Sequence, residues 1–496
     1  MIVEELATQI MQTFGFVPTA DQAKATAVFS RFLLDRDGSS VMIMRGSAGT
    51  GKTSLAAAIV KTLVKLRQRV ILLAPTGRAA KVFSVNAGRP AFTIHRRIYR
   101  QKTFAGESTG FSLNDNMYHD TLFIVDEASM IANGGGGEGA VFGTGCLLDD
   151  MVSFVYGGHN CRMMIIGDMA QLPPVGEEES PALMADFMAG YGLKVYQCDL
   201  NEILRQASGS GILYNATEIR SMITHDEVTR LPKITFSGFA DIRMVPGGEL
   251  IEQLNSSYSE VGTDETIVIT RSNKRANAYN AGIRGMVLGR EEELTTGDML
   301  MVVRNNYYWT EKAAAEEKAL EDSSTGNGDG CKAESQALPF IANGDRAMVV
   351  RVRNLREFYG LHFADVWLQF PDYDNYEIMV TAVTDSLMAE APALTREQSE
   401  RLFNGVMEDY QDVPLKADRL KKVRQDPCYN ALQIKYAYAV TCHKAQGGQW
   451  AHIYVDQGYM TDDMLSPDYI HWLYTAFTRA TEKLFLVNWP KTQTEG

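Results

Sequence analysis

The sequence has few cysteines, and their spacing forms no recognisable pattern. There are six in 496 residues, and no two of them make a C-x-x-C pair. This excludes the common zinc ribbons and gives no sign of the dense disulfide framework of small secreted domains. We therefore interpret all six as buried or incidental thiols. They are Cys146, Cys161, Cys198, Cys331, Cys428 and Cys442.

Long hydrophobic runs are also missing. No apolar stretch approaches the roughly 20 residues that a membrane-spanning helix needs. Residues 1–16, MIVEELATQIMQTFGF, lack the basic start and the cleavage site of a signal peptide, and their spacing predicts an amphipathic helix. Together these absences predict a cytoplasmic protein that makes no membrane contact.

Basic charge is scarce. The chain has 48 Lys and Arg against 61 Asp and Glu, a formal net charge of −13. Nucleic-acid-binding proteins usually carry a basic surface, so this balance argues weakly against such a partner. It does not exclude one, because a positive groove can be local while acidic residues cluster elsewhere, as at Glu177–Glu179 and Glu291–Glu293.

Two series of short apolar runs predict two α/β units within a chain long enough for about three or four compact parts. Near-continuous apolar strands that alternate with helical stretches are typical of a parallel sheet covered on both faces. A long insert, roughly 290–435, interrupts the second series; it contains β-prone pieces and, at 311–330, a helix-prone segment followed by a Gly- and Ser-rich one. The runs lie at 41–44, 70–74, 122–126 and 163–167, and then at 266–270, 436–441, 452–455 and 483–487.

The strongest local signal is GSAGTGKTS at 46–54, which matches the phosphate-binding pattern G-x-x-x-x-G-K-[ST]. An apolar run precedes it and a helix-prone stretch follows, as the pattern requires. Backbone N–H groups of such a loop wrap phosphates, Lys52 should reach the β- and γ-phosphates, and Thr53 should ligate Mg²⁺. The predicted nucleotide-binding residues here are Gly46, Ala48, Gly49, Thr50, Gly51, Lys52, Thr53 and Ser54.

Two further motifs stand at the ends of predicted strands. LFIVDEAS at 122–129 places Asp126 and Glu127 where a parallel sheet meets its ligand. We expect Asp126 to hold Mg²⁺ through water and Glu127 to orient or deprotonate the attacking water. In GDMAQ at 167–171, the amide of Gln171 is placed to contact the γ-phosphate or its water.

With these motifs in order, the sequence resembles the superfamily 1B DNA helicases of the RecD and Dda type. The resemblance spans most of the chain. Its motifs are TADQAKA (19–25), the P-loop, APTGRAAK (74–81), TIHRRI (93–98), DEAS, GDMAQLPPV, LNEILRQASGSGI (200–212), ITRSNKRANAYNAGIR (269–284), NGD (343–345), YAVTCHKAQGGQW (438–450) and YTAFTRATEKLFLV (474–487).

The resemblance implies roles for residues that spacing alone does not assign. Gln22 would contact adenine, and Arg205 and Arg479 would act as arginine fingers that stabilise charge on the transferring phosphoryl group. For Arg205 and Arg479 alike, the alternative is a surface salt bridge. The expected contacts to DNA are Thr76, Lys81, Thr93, His95, Thr441, His443 and Lys444. His95 and His443 remain open to a second interpretation as core histidines.

The resemblance also implies an architecture of two RecA-like motor domains, with ATP between them. The first would comprise 1–98 and 120–205, and the second 206–289 and 436–496. Residues 99–119 would form a hairpin pin with Phe104 or Phe111 as the wedge that splits duplex DNA, although a plain surface hairpin is the alternative. Residues 290–435 would form an accessory domain with an SH3-like barrel. The Gly-rich loop at 133–145 and the insertion at 311–336 look like additions.

The function implied is an ATP- and Mg²⁺-dependent DNA helicase that moves 5′ to 3′ on single-stranded DNA and unwinds at junctions of single- and double-stranded DNA. Polarity comes from the resemblance alone. Replication or repair proteins are the expected partners. An RNA helicase, and an ATPase that works as a binding or loading module without unwinding, remain as alternatives.

Overall fold

The computed structural model describes residues 2–101, 111–134, 143–202, 209–224, 230–323 and 340–495. The chain divides into two compact units, unit 1 (Met1–Gly247 and Ala445–Gly496) and unit 2 (Gly248–Lys444). The domain boundaries predicted at 205 and 289 do not coincide with the limits of these units. No helix among the described residues is both long enough and apolar enough to cross a membrane.

The first part of unit 1 is built of alternating helices and strands. In chain order these are α1 Ile2–Phe14, α2 Ala20–Leu33, β1 Ser40–Gly46, α3 Lys52–Lys65, β2 Arg69–Ala74, α4 Gly77–Ala87, β3 Ala91–Thr93, α5 Ile94–Ile98, β4 Tyr99–Gln101, β5 Phe111–Leu113, β6 Thr121–Val125, α6 Leu147–Gly157, β7 Arg162–Gly167, α7 Ala185–Ala189, β8 Lys194–Leu200, α8 Gly211–Thr224, β9 Ile234–Thr235 and β10 Ile242–Val245.

Unit 2 and the end of unit 1 follow. Unit 2 has α9 Leu250–Val261, β11 Thr266–Thr270, α10 Asn273–Gly282, β12 Met299–Val302, α11 Tyr308–Ser323, β13 Arg346–Phe358, β14 Leu361–Phe370, β15 Tyr376–Val383, α12 Arg396–Asp409, α13 Lys416–Arg424, β16 Leu432–Tyr436, β17 Ala439–Thr441 and α14 Cys442–Ala445, whose last residue opens the return to unit 1. Unit 1 then ends with β18 Trp450–Asp456, α15 Pro467–Phe477, β19 Ala480–Val487 and β20 Thr494–Glu495.

The largest sheet of unit 1 has six strands in the order β3-β2-β6-β7-β1-β8, and all five pairings are parallel. The four apolar runs predicted between 41 and 167 are β1, β2, β6 and β7, which confirms the α/β prediction for this part of the chain. Alternate residues enter different clusters: Met42 and Met44 pack on one face, and Val41 and Ile43 on the other. Because both faces are covered, these strands read as continuous apolar runs.

This strand order decides where the motifs lie. β6, β7 and β1 are neighbours, so the residues after each of them emerge at the same edge of the sheet. The P-loop follows β1, Asp126 follows β6, and Asp168 follows β7. The two strands β18 and β19 pair in parallel elsewhere in unit 1, and β10 extends them on the β19 side.

The predicted hairpin between 99 and 119 is present at its base. β4 and β5 are antiparallel, with Gln101 opposite Phe111. Phe111 is half-buried and packs against a core cluster that includes Ile98 and Phe123. That packing argues against a wedge at Phe111, because a wedge has to project into the duplex. Phe104 lies outside the described residues.

Unit 2 contains a parallel pair, β11 and β17, and a closed barrel of β12 to β16. The barrel occupies the predicted insert, and all its pairings are antiparallel except β15 with β16. The closed barrel accords with the expected accessory domain, whose SH3-like identity stays a prediction. α11 forms the helix-prone half of the 311–336 insertion, whereas 324–336 lies outside the described residues.

The prediction of one strand over 436–441 was wrong. β16 ends at Tyr436 and β17 begins at Ala439, and the two strands belong to different sheets. The chain changes sheets at the intervening residues: the N–H of Ala437 donates to Met299 O of the barrel, and Tyr438 O accepts from the N–H of Val268 in β11. A periodic apolar run cannot reveal such a change of partner.

Candidate nucleotide site

The P-loop runs from the end of β1 to the start of α3, and its glycines are required by the backbone. Gly49 and Gly51 have φ of 78° and 79°, a region that side chains with a Cβ rarely adopt. Gly46 is needed for space, because a Cβ there would lie 2.8 Å from Thr50 Oγ1 and 2.9 Å from Leu200 Cβ. The loop therefore presents backbone N–H groups and the first turn of α3 at the sheet edge.

Side chains brace the P-loop from within and from α2. Lys52 Nζ donates to Ser47 O at 2.8 Å, and Thr50 Oγ1 donates to the same carbonyl at 2.8 Å. Gln22 is fully buried; its amide donates to Thr50 O at 2.9 Å and accepts from the N–H of Thr19 at 3.0 Å. The structure thus gives Gln22 a role in holding the loop, while its contact with adenine stays a prediction. Thr53 is half-buried and Ser54 exposed.

The acid pair follows β6. Burial, and after it the charge of Glu127, raise the pKa of Asp126 to about 7, against the lowering effects of Lys52 and Arg479. Glu127 has φ of 52°, the left-handed region that favours glycine, and its N–H donates to Asp126 Oδ1 at 2.9 Å. Such strain at a non-glycine residue is typical of functional sites. Asp126 is half-buried and lies where negative charge is undercompensated.

Glu127 lies beside Arg479 and Gln171. Arg479 Nη1 is 3.4 Å from Glu127 Oε1 and donates to Gly448 O at 3.3 Å. In the amide orientation that satisfies both neighbours, Gln171 donates to Glu127 Oε2 at 3.3 Å and accepts from Arg479 Nη2 at 2.9 Å. The side chain of Arg479 is 3% exposed, so the surface salt bridge considered above is excluded.

Helix α15 holds the loop that carries Gln171. His471 Nδ1 lies 2.9 Å from Ala170 O, and Thr475 Oγ1 accepts from the N–H of Leu172 at 2.8 Å. Gln446 donates to Leu172 O at 2.7 Å. The segment after α15 carries Arg479, so one helix fixes both the Gln171 loop and the arginine that contacts Glu127.

Tyr474 of the same helix joins the P-loop to the loop after β7. Its hydroxyl accepts from the N–H of Ala48 at 2.9 Å and donates to Asp168 Oδ2 at 2.6 Å. Burial, followed by the nearby charge of Asp168, raises the pKa of Tyr474 well above its usual range. The hydroxyl is therefore protonated at neutral pH and is available as a donor.

A cavity of about 420 Å³ opens beside the P-loop in unit 1. Its lining includes Ser47 and Gln171, and Arg220 of α8 reaches into it. Arg220 donates through Nη1 to Ser47 Oγ and through Nη2 to Asn201 Oδ1, both at 2.7 Å. Two residues that line the cavity, Ser47 of the P-loop and Arg220 of α8, are therefore in direct contact with each other.

The predicted DNA contacts of unit 1 lie on or next to two helices, α4 and α5. Thr76 caps α4 by accepting from the N–H of Ala79 at 3.2 Å, and Lys81 is exposed on that helix. Thr93 is buried and caps α5 by accepting from the N–H of Arg96 at 3.3 Å. Burial lowers the pKa of His95 to about 4 despite the charge of Asp150, so His95 is neutral at pH 7. A phosphate contact by His95 would be a neutral hydrogen bond.

Gly447 and Trp450, which follow α14, pack against the start of α4 within unit 1. Gly447 has φ of 76°, and a Cβ there would lie 3.0 Å from Thr76 Oγ1. The Arg78 guanidinium stands over the ring of Trp450 at 4.7 Å. These contacts give Thr76 a packed setting, and its contact with DNA stays a prediction.

The other three predicted DNA contacts lie in unit 2. Thr441 ends β17 and is half-buried, His443 is exposed, and Lys444 is half-buried. Exposure of His443 removes its interpretation as a core histidine. Burial, and then the charge of Lys435, lower the pKa of Lys444 to about 8. Lys444 is therefore mostly cationic at pH 7.

The sequence did not predict four residues that make contacts at this site, and one residue that it did predict lies outside the described residues. Tyr474, Thr475 and Gln446 lie inside quoted motifs, but nothing in the motif letters assigned them a contact. Arg220 carries no sequence signal, since it is one arginine on an amphipathic helix. Arg205, the first expected finger, lies outside the described residues.

Two family models match the chain, the AAA domain over residues 19–231 and the UvrD-like helicase C-terminal domain over residues 436–487. The ATP-dependent DNA helicase dda of Enterobacteria phage T4 is 26% identical over 266 residues, which cover 52% of this chain and 55% of that protein. The ATP-dependent RecD2 DNA helicase of Deinococcus radiodurans is 29% identical over 180 residues, covering 36% of this chain and 21% of that protein. The match thus spans about half or less of these relatives.

Among solved structures, the Pif1 helicase from Bacteroides in complex with ADP-AlF3 and ssDNA is similar, with a TM-score of 0.46 and 16% identity over 96% of this chain and 94% of that chain. The two family models cover, in chain order, the P-loop with its acid pair and the segment of Arg479. Together with the two sequence relatives, they make the chain similar to the helicases of superfamily 1B, the RecD and Dda type.

Proposed function

We propose that the chain is an ATP-dependent DNA helicase that translocates 5′ to 3′ on single-stranded DNA and unwinds duplexes at junctions of single- and double-stranded DNA. The observation that carries this proposal is the buried contact of Arg479 with Glu127 beside Asp126 and the P-loop. It gives one site a phosphate cradle, an acid to act on water and a guanidinium to offset charge. The polarity rests on the resemblance to the RecD and Dda type.

Each nucleotide-site residue has a proposed role. The P-loop amides and Lys52 bind the phosphates, and Glu127 orients or deprotonates the attacking water. Gln171 contacts the γ-phosphate or that water. Arg479, and Arg205 with it, stabilise charge that develops on the transferring phosphoryl group, which is the effect that raises turnover without tightening ground-state binding.

The acid pair fits a divalent cation. Asp126 and Thr53 offer the carboxylate and hydroxyl oxygens that Mg²⁺ prefers. Burial and the second carboxylate hold Asp126 at a raised pKa, so added positive charge would be stabilising there. Bound Mg²⁺ would neutralise charge on the nucleotide phosphates. Thr53 and Asp126 are the residues that would hold it.

We retain the remaining expectations as part of the proposal. DNA would be gripped by Thr76, Lys81, Thr93, His95, Thr441, His443 and Lys444 through sequence-independent contacts with the phosphates. Such contacts weaken as salt rises. The four-part division into two motor domains, a pin and an accessory domain also stands as a proposal, as do replication or repair proteins as partners and a cytoplasmic location.

The test is ATP hydrolysis by the full chain with and without single-stranded DNA, followed by unwinding of 5′-tailed and 3′-tailed duplexes on the same preparation. DNA-stimulated hydrolysis with unwinding from the 5′ tail is the expected result. Unwinding from the 3′ tail would overturn the polarity. Stimulation by RNA and not by DNA would favour an RNA helicase.

Hydrolysis and translocation without unwinding would instead favour a binding or loading module. A translocation assay on single-stranded DNA separates this outcome from a defect in hydrolysis. The lysine variant Lys52→Ala serves as the inactive control, because it removes the cation that neutralises phosphate charge.

A further inference from the structure

The hydroxyl of Tyr474 bridges two loops of the nucleotide site, and the mechanism proposed above gives this bridge no role. Tyr474 is 1% exposed, and its hydroxyl accepts from the N–H of Ala48 and donates to Asp168 Oδ2. Asp168 is a carboxylate at a buried position and accepts only, so the tyrosine proton must point toward it. The bond to Ala48 then has a fixed direction, with the backbone N–H as donor.

This bridge joins two loops that leave neighbouring strands. Ala48 belongs to the P-loop after β1, and Asp168 begins the loop after β7. Asp168 also fixes the turn toward Gln171, since its Oδ1 accepts from the N–H of Ala170 at 3.0 Å and its carbonyl accepts from the N–H of Gln171 at 3.3 Å. Any shift of the P-loop at Ala48 is therefore passed to the loop that carries Gln171.

The loop after β7 leads in turn to the contact between Glu127 and Arg479. Gln171 lies between Glu127 and Arg479, and Arg479 follows the helix that carries Tyr474. Arg479 Nε also donates to Thr475 O, the carbonyl next to Tyr474, at 3.2 Å. Thus Tyr474 is connected to Arg479 both through the helix and through the Gln171 loop.

We propose that Tyr474 is a positioning residue that couples the P-loop to Gln171 and Arg479, so that phosphate bound at the loop sets the placement of the guanidinium. This inference rests on the proposed ATP hydrolysis and deepens it. Tyr474 touches the P-loop backbone and Asp168, not the reacting atoms. Its effect should therefore appear in turnover and act through Arg479.

The test is a double-mutant cycle of Tyr474→Phe with Arg479→Lys, measured as kcat for DNA-stimulated ATP hydrolysis. Removing the hydroxyl breaks the hydrogen-bonded link from Ala48 to Asp168. Losing about one hydrogen bond's net contribution from the transition state corresponds to a fall in kcat of about tenfold. In the Arg479→Lys background the same change should cost no more than about twofold, because residues that act through one another are not additive. Affinity for a fluorescent ADP analogue should stay within about twofold.

Tyr469→Phe is the matched control. Tyr469 is also buried on α15, and its hydroxyl donates to Gln457, away from the P-loop. We expect its kcat to stay close to that of the wild type. Equal losses of kcat from Tyr474→Phe in both backgrounds, a loss no larger than that of Tyr469→Phe, or a parallel loss of ADP affinity would each overturn the coupling.

A second variant covers the case in which Tyr474→Phe does not fold. Asp168→Asn changes the other end of the bridge while keeping an oxygen for the N–H of Ala170. It should lower kcat and be similarly non-additive with Arg479→Lys, and additive losses would overturn the proposal. If the wild type hydrolyses no ATP, the proposed function itself is wrong. If the wild type hydrolyses ATP but the effects of the two substitutions are additive, only the proposed coupling through Tyr474 is wrong.

Discussion

Replacing Arg479 by alanine tests the chemistry of the site directly. The change removes a guanidinium that is 3% exposed and lies 3.4 Å from Glu127 Oε1. It also removes the donors to Gly448 O and to Thr475 O, and the donor that faces Gln171. The variant therefore loses one charge partner and several hydrogen bonds at once.

The structure sets the size of two separate effects. Removing one partner of a buried ion pair costs about 3–5 kcal/mol of folding free energy, and we expect the lower figure, about 3 kcal/mol, because Glu127 is 20% exposed. An arginine finger contributes about 10³- to 10⁵-fold to turnover. We therefore expect Arg479→Ala to lose at least about 10³-fold in kcat, with ADP affinity little changed.

The control is Arg479→Lys, which keeps the positive charge but loses the planar fork. A lysine can reach Glu127, yet it cannot serve Gly448 O and Gln171 in the same plane. We expect it to recover most of the folding free energy and little of the turnover. Thermal unfolding, ADP binding and ATP hydrolysis on the same preparations separate the two effects.

Two results would refute this reasoning. Turnover by Arg479→Ala within about tenfold of the wild type would show that the guanidinium does not act on the reaction. Equal losses of ADP affinity and of turnover would show that Arg479 contributes uniform binding, which the finger role does not allow.

Three other predictions follow from single contacts. Lys52→Ala should retain the fold, judged by circular dichroism, but lose nearly all ATP hydrolysis, because Lys52 neutralises phosphate charge; wild-type turnover would contradict the site assignment. Arg220→Ala removes the donor to Ser47 Oγ and should raise KM for ATP severalfold at an unchanged melting temperature, with Ser47→Ala giving a similar and non-additive effect; additive effects would separate the two residues. His95 has a pKa of about 4 in the folded protein, below its usual value, so the unfolded chain binds more protons between about pH 6.5 and pH 4 and stability falls as pH falls through that window. The melting temperature of His95→Gln should therefore decline less steeply there than that of the wild type, and parallel curves would count against a lowered pKa of His95.

The sequence by itself determined the local elements and the nucleotide-binding chemistry. The apolar runs of β1, β2, β6 and β7 are visible because strands covered on both faces need apolar side chains throughout. The P-loop is visible because its backbone angles, such as φ of 78° at Gly49, demand glycine at fixed spacing. The resemblance to the RecD and Dda type of helicase follows from motif order, which a linear sequence carries in full.

Tertiary structure decided which distant groups meet and in what protonation state. Ala48 and Tyr474 are 426 residues apart, and Ser47 and Arg220 are 173 apart; no periodicity or spacing encodes either contact. The division of 436–441 between two sheets depended likewise on which partners lay on each side. The pKa of Asp126 near 7 and of His95 near 4 came from burial, which is fixed only when the whole chain has packed.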